Sequence, residues 1–308
     1  MKIGISGIGY WGRKVLTEYI KLEEEGYIDG IFIYDVSERV PPDIVQRGGI
    51  SIAESYSDLL DSVDAVHICT PNNIHREQIF LAFERSRDVL VEKPVTEDSN
   101  SAFRAVEESL AKGLIFQVGN IFRFSNSLRE VRKILEGYEY GKVNHVSVHW
   151  SHIAKSISSS NEDIVWDLMP HILDILNFLF SEWPDYIDFV SSNPTSSETG
   201  VKHTDLLLSY KKGFECNVYM SHIDHRTHRD IEISCDKATI FVNPVTQDIN
   251  ITERGSERRL AIDANNTLRE EILNFIDAHH QRKNKTNSAF IGAVIVKEIE
   301  KIKEAVRD

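Results

Sequence analysis

The chain has 308 residues, 41% of them hydrophobic and 27% charged, which is the composition of a globular protein large enough for two domains. Its net charge of -13 is unfavourable for a nucleic-acid-binding surface and for attraction to an anionic membrane. Any anionic ligand must therefore bind in a local basic pocket.

Neither export nor membrane insertion is indicated. No stretch approaches the ~18 apolar residues that span a bilayer, and the first predicted strand begins right after Met1, which leaves no room for a signal peptide. The cysteines, Cys69, Cys216 and Cys235, are odd in number and widely spaced, so they predict neither a disulfide framework nor a zinc site. We expect a cytoplasmic protein with reduced cysteines and no bound metal.

The first part of the chain alternates short apolar stretches with amphipathic ones, the pattern of a parallel sheet with helices on both faces. The predicted strands are residues 2–6, 30–34, 50–53, 65–69, 89–92 and 115–118. The predicted helices include residues 11–25, 74–85 and 99–112, with Asp98 as the N-cap of the last. We therefore predict an N-terminal doubly wound parallel sheet, a Rossmann domain, over residues 1–119.

After Gly119 the pattern changes. Predicted helices cover residues 127–136, 167–180, 267–280 and 288–306, and predicted strands cover residues 142–152, 186–191, 204–210, 215–221, 230–234, 239–242 and 249–252. We predict a C-terminal α/β domain over residues 120–308 with an open, mainly antiparallel sheet, whose last helix could pack back on the first domain. An uncovered sheet face would expose apolar area, which predicts a homodimer or homotetramer.

A glycine-rich turn follows the first predicted strand and reads Gly7-Ile8-Gly9-Tyr10-Trp11-Gly12. In a dinucleotide site Gly7 permits the tight turn, Gly9 lets backbone amides approach the pyrophosphate, and Gly12 lets the helix and strand pack closely. Asp35 ends the second strand about 20 residues later, where a carboxylate binds the ribose 2'-hydroxyl of NAD and repels the 2'-phosphate of NADP. The pattern predicts that the cofactor is NAD, while the nearby Arg39 would permit some binding of NADP. The alternative to a dinucleotide site is a strand–turn–helix that binds no cofactor.

Two further strand ends carry polar residues. Ligands of open parallel sheets bind at such carboxyl ends, and the fourth strand is followed by Thr70-Pro71-Asn72 with His75 close behind. The fifth strand ends in Glu92-Lys93-Pro94, where Lys93 could donate a hydrogen bond to a substrate oxygen. The alternative for Lys93 is a solvated lysine at a strand end.

A predicted helix carries polar residues among apolar ones. Spacings of four and three place Asp167, His171 and Asp174 on one face. Because proline is tolerated only in a first helical turn, Pro170 predicts that Asp167 is the N-cap and that His171 lies near the positive helix end, where a neutral general base is favoured. The alternative is a capping aspartate and a core histidine hydrogen-bonded to Asp174.

Together these motifs resemble the glucose-fructose oxidoreductase, inositol dehydrogenase and MocA family over the whole chain. The shared motifs, in the family's order, are the glycine turn, Thr70-Pro71-Asn72 with His75, Glu92-Lys93-Pro94, Gly119 with Arg123-Phe124, and Asp167-x-x-x-His171-x-x-Asp174. The resemblance implies NAD or NADP and oxidation or reduction at a sugar-type carbon. It also implies a catalytic group of Lys93, Asp167 and His171.

Two sets of binding residues are expected from these motifs. The cofactor-binding set is Gly7, Gly9, Tyr10, Trp11, Gly12, Asp35, Thr70, Pro71, Asn72, His75, Glu92 and Lys93. The substrate-binding set is Asn120, Arg123, Trp166, Asp167, His171 and Arg226. The chain departs from the family at residues 156–163, where relatives often have a Gly-rich stretch, at Ile172 and at Asn120, which puts the substrate in doubt more than the chemistry.

Three segments resemble the branch of the family that acts on nucleotide-linked sugars. They are Gly9-Tyr10-Trp11-Gly12, Trp166-Asp167-Leu168-x-Pro170-His171, and Ser221-His222-Ile223-Asp224-His225-Arg226 leading to Arg229. A positive strand end at the third segment could hold a substrate phosphate. The equally weighted alternative is an exposed basic edge that prevents strand pairing.

The expected function is oxidation or reduction of a sugar or nucleotide-sugar hydroxyl. In this prediction His171 takes the hydroxyl proton, Lys93 hydrogen-bonds the same oxygen, and Asp167 orients the substrate or His171. The alternatives are a cofactor-bound sensor without turnover, a dehydrogenase of free sugars or inositols, and a reductase of another carbonyl or imine.

Overall fold

The computed structural model describes residues 1–36, 49–152, 163–194, 201–284 and 286–307. The chain forms two compact units, of which the first comprises Met1–Ile121 and Leu268–Lys297 and the second Phe122–Thr267 and Glu298–Asp308. Among the helices in the described ranges, none is long and apolar enough to cross a bilayer.

The first unit is built on a six-stranded parallel sheet in the order β3-β2-β1-β4-β5-β6. The strands are β1 Lys2–Ser6, β2 Gly30–Tyr34, β3 Ile50–Ile52, β4 Ala65–Ile68, β5 Asp88–Val91 and β6 Phe116–Val118. This is the strand order of a dinucleotide-binding doubly wound sheet. The predicted Rossmann architecture is confirmed.

The helices follow the predicted pattern, with one addition. In chain order they are α1 Tyr10–Glu24, α2 Tyr56–Ser62, α3 His75–Glu84, α4 Ser99–Ala111, α5 Asn126–Glu136, α6 Ile164–Phe180, α7 Thr267–Gln281 and α8 Ala289–Arg307. Asp98 caps α4 as predicted, accepting a hydrogen bond of 2.7 Å from the Ser101 amide. The sequence analysis missed α2, a helix of 7 residues whose N-cap is Ser55.

One apolar core joins the first strands of this unit to a helix from the far end of the chain. Ile3 and Ile5 of β1, Tyr19 of α1 and Phe275 of α7 are fully buried in it. Full burial of one such side chain stabilises the fold by ~1.5–3 kcal/mol. The helix α7, although it lies near the end of the chain, is therefore an integral part of the first unit.

The second unit contains an eight-stranded sheet in the order β14-β13-β12-β11-β7-β10-β9-β8. The strands are β7 Val143–Ser151, β8 Tyr186–Pro194, β9 Val201–Ser209, β10 Glu215–Ser221, β11 His228–Cys235, β12 Thr239–Asn243, β13 Asp248–Glu253 and β14 Ser256–Leu260. Only the β7–β10 pair is parallel, so the mainly antiparallel sheet is confirmed. The edge strand β14 was not predicted because its exposed, charged residues show no apolar alternation.

The outward face of the central strand β7 is polar. Alternation along β7 buries Val146, Val148 and Trp150 and turns His145, Ser147 and His149 outward. The expected exposed apolar face is not found on this strand, where Val143 is the one apolar residue on the outward side and is partly exposed.

The helix α6 begins one turn earlier than predicted. Its N-cap is Asp163, which accepts a hydrogen bond of 2.9 Å from the Val165 amide. Asp167 therefore lies inside the first turn and is not the cap, and Pro170 lies inside the helix. The prediction failed because the preceding Ile164 and Val165 are buried, and packing of these residues outweighs the hydrogen bond that the proline cannot donate.

Candidate active site

The glycine turn between β1 and α1 has space for a side chain at one of its three glycines and none at the other two. Gly7 has a φ of +91°, and a Cβ there would lie 2.9 Å from the Cys69 carbonyl carbon. A Cβ on Gly12 would overlap the Gly7 carbonyl oxygen, whereas one on Gly9 would meet nothing within 4 Å. The conformation of the turn and its close packing therefore require glycine at positions 7 and 12. At position 9 the glycine leaves open space in front of the backbone.

A cavity of about 410 Å³ lies beside this turn, at the carboxyl ends of β1, β2 and β4. Seven of the predicted cofactor-binding residues line it, namely Gly7, Gly9, Tyr10, Trp11, Asp35, Thr70 and Pro71. Gly12, Asn72, His75, Glu92 and Lys93 are not among its lining residues. An elongated ligand with a phosphate group suits this place, since the N-terminus of α1 faces it.

Asp35 is held against the glycine turn. Its Oδ2 accepts a hydrogen bond of 2.6 Å from the Ile8 amide. A carboxylate at the end of the second strand of a dinucleotide-binding sheet accepts from a ribose 2'-hydroxyl and repels a 2'-phosphate, and this stays the prediction for Asp35. Arg39, the residue expected to permit NADP, lies outside the described residues.

Replacing Asp35 should change the choice between the two dinucleotides. Asp35→Ala is expected to weaken NAD binding and to raise the ratio of NADP to NAD affinity, because both the ribose acceptor and the charge are lost. Asp35→Asn is the matched control: it can still accept from the Ile8 amide but has no charge, so the relative gain for NADP should persist. Dissociation constants for both cofactors test this, and an unchanged ratio would mean that Asp35 does not touch the ribose.

Gly9 offers a direct test of the cavity. Gly9→Ala is expected to weaken NAD binding by about tenfold or more, equivalent to ~1.4 kcal/mol, because the methyl group would fill space that the pyrophosphate needs. The fold should be retained, since the added Cβ meets no protein atom within 4 Å. Titration with NAD, together with a melting curve, measures both effects. Gly30→Ala, on β2 with no neighbour closer than 3.9 Å, should leave the affinity unchanged.

Glu92 is packed into the first unit. Its Oε1 accepts a hydrogen bond of 2.5 Å from Trp11 Nε1 and lies 3.2 Å from His67 Nε2. A Cβ on Gly119 would come within 2.8 Å of Glu92 Oε2, which explains the glycine there. Glu92 therefore positions Trp11 of α1, and His67 is a partner that the sequence analysis missed. Lys93 follows it, half-buried at the end of β5.

His75 connects two loops of the first unit. It is buried, and its ring nitrogens lie 2.9 Å from the Pro94 carbonyl and 2.8 Å from the Thr70 carbonyl. Burial lowers the pKa of His75, although the two carbonyls oppose this shift. Because both nitrogens face the backbone, His75 shapes the Thr70 loop, and it does not line the cavity. A direct cofactor contact by His75 is therefore a prediction that the geometry disfavours.

In the second unit His171 lies between aromatic rings. Its ring centroid is 5.3 Å from that of Phe122, edge to face, and 6.2 Å from that of Trp150. Asp167 precedes it by one helical turn, and both side chains are half-buried, as is Trp166. The structure thus presents Asp167 and His171 on successive turns of α6, as the spacing predicted.

Two histidines outside the predicted catalytic group of Lys93, Asp167 and His171 approach Asp167. His222 Nε2 lies 3.2 Å and His152 Nε2 lies 3.8 Å from Asp167 Oδ2. They follow the ends of β10 and β7, which are adjacent strands of the sheet. The signals available in the sequence were a histidine at the end of one predicted strand, residues 142–152, and a histidine directly after another, residues 215–221.

Asp174 and Arg123 form a buried ion pair. Arg123 Nε donates to Asp174 Oδ1 at 2.5 Å, and its Nη2 donates to Asn177 Oδ1 at 2.8 Å. Burial raises the pKa of Asp174 to about 6, and the Arg123 guanidinium opposes the rise. A substrate contact by Arg123 stays a prediction that the geometry disfavours, because its Nε and Nη2 hold two residues of α6.

The basic segment after β10 is largely engaged in internal contacts. His222 is buried, and His228 Nδ1 lies 3.0 Å from Asp230 Oδ2. The Arg229 guanidinium lies 4.9 Å from the Trp150 ring centroid and donates to the His228 carbonyl at 2.8 Å. The exposed residue among His222, Arg226, His228 and Arg229 is Arg226, which lines a cavity of about 530 Å³.

Asn120, another predicted substrate residue, is in the first unit just after β6. Its side chain is buried, and Asn120 Nδ2 has no hydrogen-bond partner within the described ranges. A buried amide that lacks a partner costs about 1–3 kcal/mol, so a bound ligand oxygen would stabilise it.

Two parts of the chain match models of known protein domains. Residues 1–120 match a model described as "Oxidoreductase family, NAD-binding Rossmann fold", and residues 128–241 match the GFO/IDH/MocA C-terminal domain. Together the two matches cover well over half of the chain.

Individual relatives share less than a third of their residues with this chain over the aligned part. An inositol 2-dehydrogenase of Rhodococcus jostii is 29% identical, over 59% of this chain and 50% of that protein. A 2,7-anhydro-N-acetylneuraminate hydratase of Escherichia coli is 24% identical, over 67% and 56%. The chain spans about half the length of the curated relatives it matches.

A solved structure is similar over almost the whole chain. The UDP-N-acetylglucosamine 3-dehydrogenase GnnA from Acidithiobacillus ferrooxidans matches with a TM-score of 0.87, covering 99% of this chain and 97% of that one. The two are 20% identical, so the likeness establishes the shared fold alone.

Proposed function

The chain belongs to the glucose-fructose oxidoreductase, inositol dehydrogenase and MocA family, with an NAD-binding Rossmann domain, and from this we propose that it is an NAD-dependent dehydrogenase of a sugar-type hydroxyl. The observation that carries the proposal is the cavity at the glycine turn, where Gly9 leaves open space and the Asp35 carboxylate is part of the lining. The reverse reaction, reduction of the matching ketone, uses the same residues.

The residues of the cavity fit a dinucleotide. Backbone amides of the turn and the start of α1 would hold the pyrophosphate, and Asp35 would accept from the ribose 2'-hydroxyl. The nicotinamide, when bound, supplies the hydride acceptor or donor. NAD is favoured because the Asp35 carboxylate repels a 2'-phosphate.

Lys93, Asp167 and His171 are proposed as the group that handles the substrate proton. His171 takes the proton of the hydroxyl, and the rings of Phe122 and Trp150 hold its imidazole in place. Lys93 donates to the same oxygen and stabilises its developing negative charge. Asp167, one turn before His171, orients the substrate. The family resemblance supports these roles, together with the half-buried side chains that the three residues present.

A nucleotide-linked sugar is the proposed substrate class. The resemblance to the nucleotide-sugar branch and the exposed guanidinium of Arg226 support it. A free sugar or inositol is the second candidate, because His222, His228 and Arg229 are engaged in internal contacts and leave little charge for a phosphate. The relatives named inositol 2-dehydrogenase favour this second candidate as well.

Absorbance at the reduced-nicotinamide band tests the proposal. The purified protein is assayed with NAD or NADP against nucleotide sugars, free sugars and inositols, with His171→Ala as the control for background. Turnover confined to nucleotide sugars supports both the reaction and the substrate class. Turnover with free polyols would support the proposed reaction but contradict a nucleotide-linked substrate and its phosphate site. Tight NAD binding without turnover on any substrate would favour a sensor and contradict the proposal.

We also propose assembly into a homodimer or homotetramer. The polar outer face of the eight-stranded sheet, with His145, Ser147 and His149 on β7, offers hydrogen-bonding groups for such a contact. Sedimentation velocity measures the assembly state, and a monomer at micromolar concentration would contradict it.

A further inference from the structure

Three side chains of metal-ligand type converge in the second unit. His152 follows β7, His222 follows β10, and Asp167 is in the first turn of α6. One ligand atom from each lies within 4.8 Å of the other two. The cluster is therefore a candidate cation site made of two imidazoles and one carboxylate.

The backbone holds both histidines in place. The His152 amide donates to the Ser221 carbonyl at 3.1 Å, and the His222 amide donates to the Lys202 carbonyl at 2.9 Å. These bonds continue the pairing of adjacent strands beyond their ends. The sheet thus fixes the backbone of both histidines, and their ring centroids lie 4.4 Å apart.

The separations suit a first-row divalent ion. Zinc with bonds of about 2.1 Å in tetrahedral geometry needs ligand atoms ~3.4 Å apart. Asp167 Oδ2 lies 3.2 Å from His222 Nε2 and 3.8 Å from His152 Nε2. Small side-chain rotations would bring all three atoms into coordination, with both histidines binding through Nε2.

His222 gives an independent reason to expect a ligand. The residue is 5% exposed, and although its Nε2 lies 3.2 Å from Asp167 Oδ2, this nitrogen makes no hydrogen bond of good geometry within the part of the chain that the structure describes. Leaving a buried polar group without a hydrogen bond costs about 1–3 kcal/mol. A coordinated metal ion would satisfy this nitrogen.

Hydrogen bonding without a metal explains the arrangement less well. A neutral imidazole can donate from Nε2 to a carboxylate, so both histidines could share Asp167, which also attracts the Arg229 guanidinium. The separations of 3.2 Å and 3.8 Å from Asp167 Oδ2 are, however, longer than the ~2.7–2.9 Å of a hydrogen bond to a charged group. A metal ion between the three atoms accounts for these longer separations, although the positive charge of Arg229 lowers its affinity.

We propose that His152, Asp167 and His222 bind one divalent transition-metal ion of the zinc class and leave at least one coordination position open. Two imidazoles and a carboxylate are ligands that zinc accepts, and three protein ligands leave a fourth position for an oxygen of water or substrate. The site shares Asp167 with the proposed catalytic group, but binding of the ion does not require the proposed dehydrogenase function.

A second cluster, in the first unit, does not meet the same conditions. His67, Cys69 and Glu92 also lie close together. Glu92 Oε1 already accepts from Trp11 Nε1, however, and burial raises the pKa of the Cys69 thiol, which opposes the thiolate that binds metal.

Titration of the chelator-treated full-length protein with Co²⁺, followed by displacement with Zn²⁺, tests the proposal. The expected result is one ion per chain, with visible absorption bands of low-symmetry cobalt that disappear when zinc is added. His152→Ala and His222→Ala are each expected to weaken binding by at least ~100-fold, because removing a ligand costs more than removing a supporting residue. His149→Ala and His203→Ala, histidines paired with other aspartates, should bind like the wild type.

The outcomes separate the site from surface binding and from the dehydrogenase proposal. If the wild type binds no cobalt, or if His152→Ala binds it as tightly as the wild type, the site does not exist. His152 is about one-third exposed, so its replacement should fold even if His222→Ala does not. NAD binding, measured on the same samples, reports whether each variant is folded and is independent of the metal.

Discussion

Replacing His171 with alanine, or Lys93 with methionine, is expected to lower turnover by about 10²-fold or more and to leave NAD affinity nearly unchanged. His171 provides the base that takes the hydroxyl proton, and Lys93 provides the donor that stabilises the oxygen left behind. Neither residue lines the cavity assigned to the dinucleotide. The loss should therefore appear in kcat, with little change in the dissociation constant of NAD.

Steady-state kinetics on the substrate identified by the panel, with a separate NAD titration, measure the two quantities. Lys112→Met, at the exposed end of α4, and His145→Ala, on the outer face of β7, are the matched controls and should retain wild-type turnover. Near-wild-type turnover in both His171→Ala and Lys93→Met would remove these residues from the mechanism. Equal loss of NAD affinity would point to a folding defect instead.

Replacing Asp174 with alanine is expected to lower the free energy of unfolding by about 3–5 kcal/mol, because the Arg123 guanidinium would stay buried without its carboxylate. The two side chains are 2% and 7% exposed, so water cannot replace the lost partner. Denaturant unfolding measures the change. The control is Arg132→Met, which breaks an exposed pair with Glu136 in α5 and should cost no more than ~1 kcal/mol. Equal losses of unfolding free energy in the two variants would show that the buried ion pair stabilises the fold no more than the exposed one.

The reciprocal variant Arg123→Met should depend on pH. The pKa of Asp174 is raised to about 6 in the folded protein, and loss of the opposing guanidinium should raise it further. A carboxyl whose pKa is higher in the folded than in the unfolded state, where it is ~3.9, loses stability as pH rises through the folded value. The variant should therefore be closer to the wild type at pH 5 than at pH 8. The same difference at both pH values would contradict this account.

Most of the architecture could be predicted from local sequence patterns. The parallel strands read as short apolar runs, and all six strands of the first sheet begin and end within one residue of their predicted bounds. The elements that were missed, α2 and β14, are short or exposed, so packing leaves little periodicity in their sequences. The start of α6 was misplaced for a related reason, since burial of Ile164 and Val165 outweighs the local cost of Pro170.

The sequence by itself determined the glycine turn, Asp35 at the end of β2, and the placement of Asp167 and His171 on one face of a helix, because each depends on spacing within one element or between two neighbours. Only the tertiary structure decided the partners of these residues. Arg123 meets Asp174 across 51 positions, and His152 and His222 reach Asp167 because β7 and β10 pair in the sheet. Contacts between residues far apart in the chain depend on strand order and packing, which no local spacing encodes.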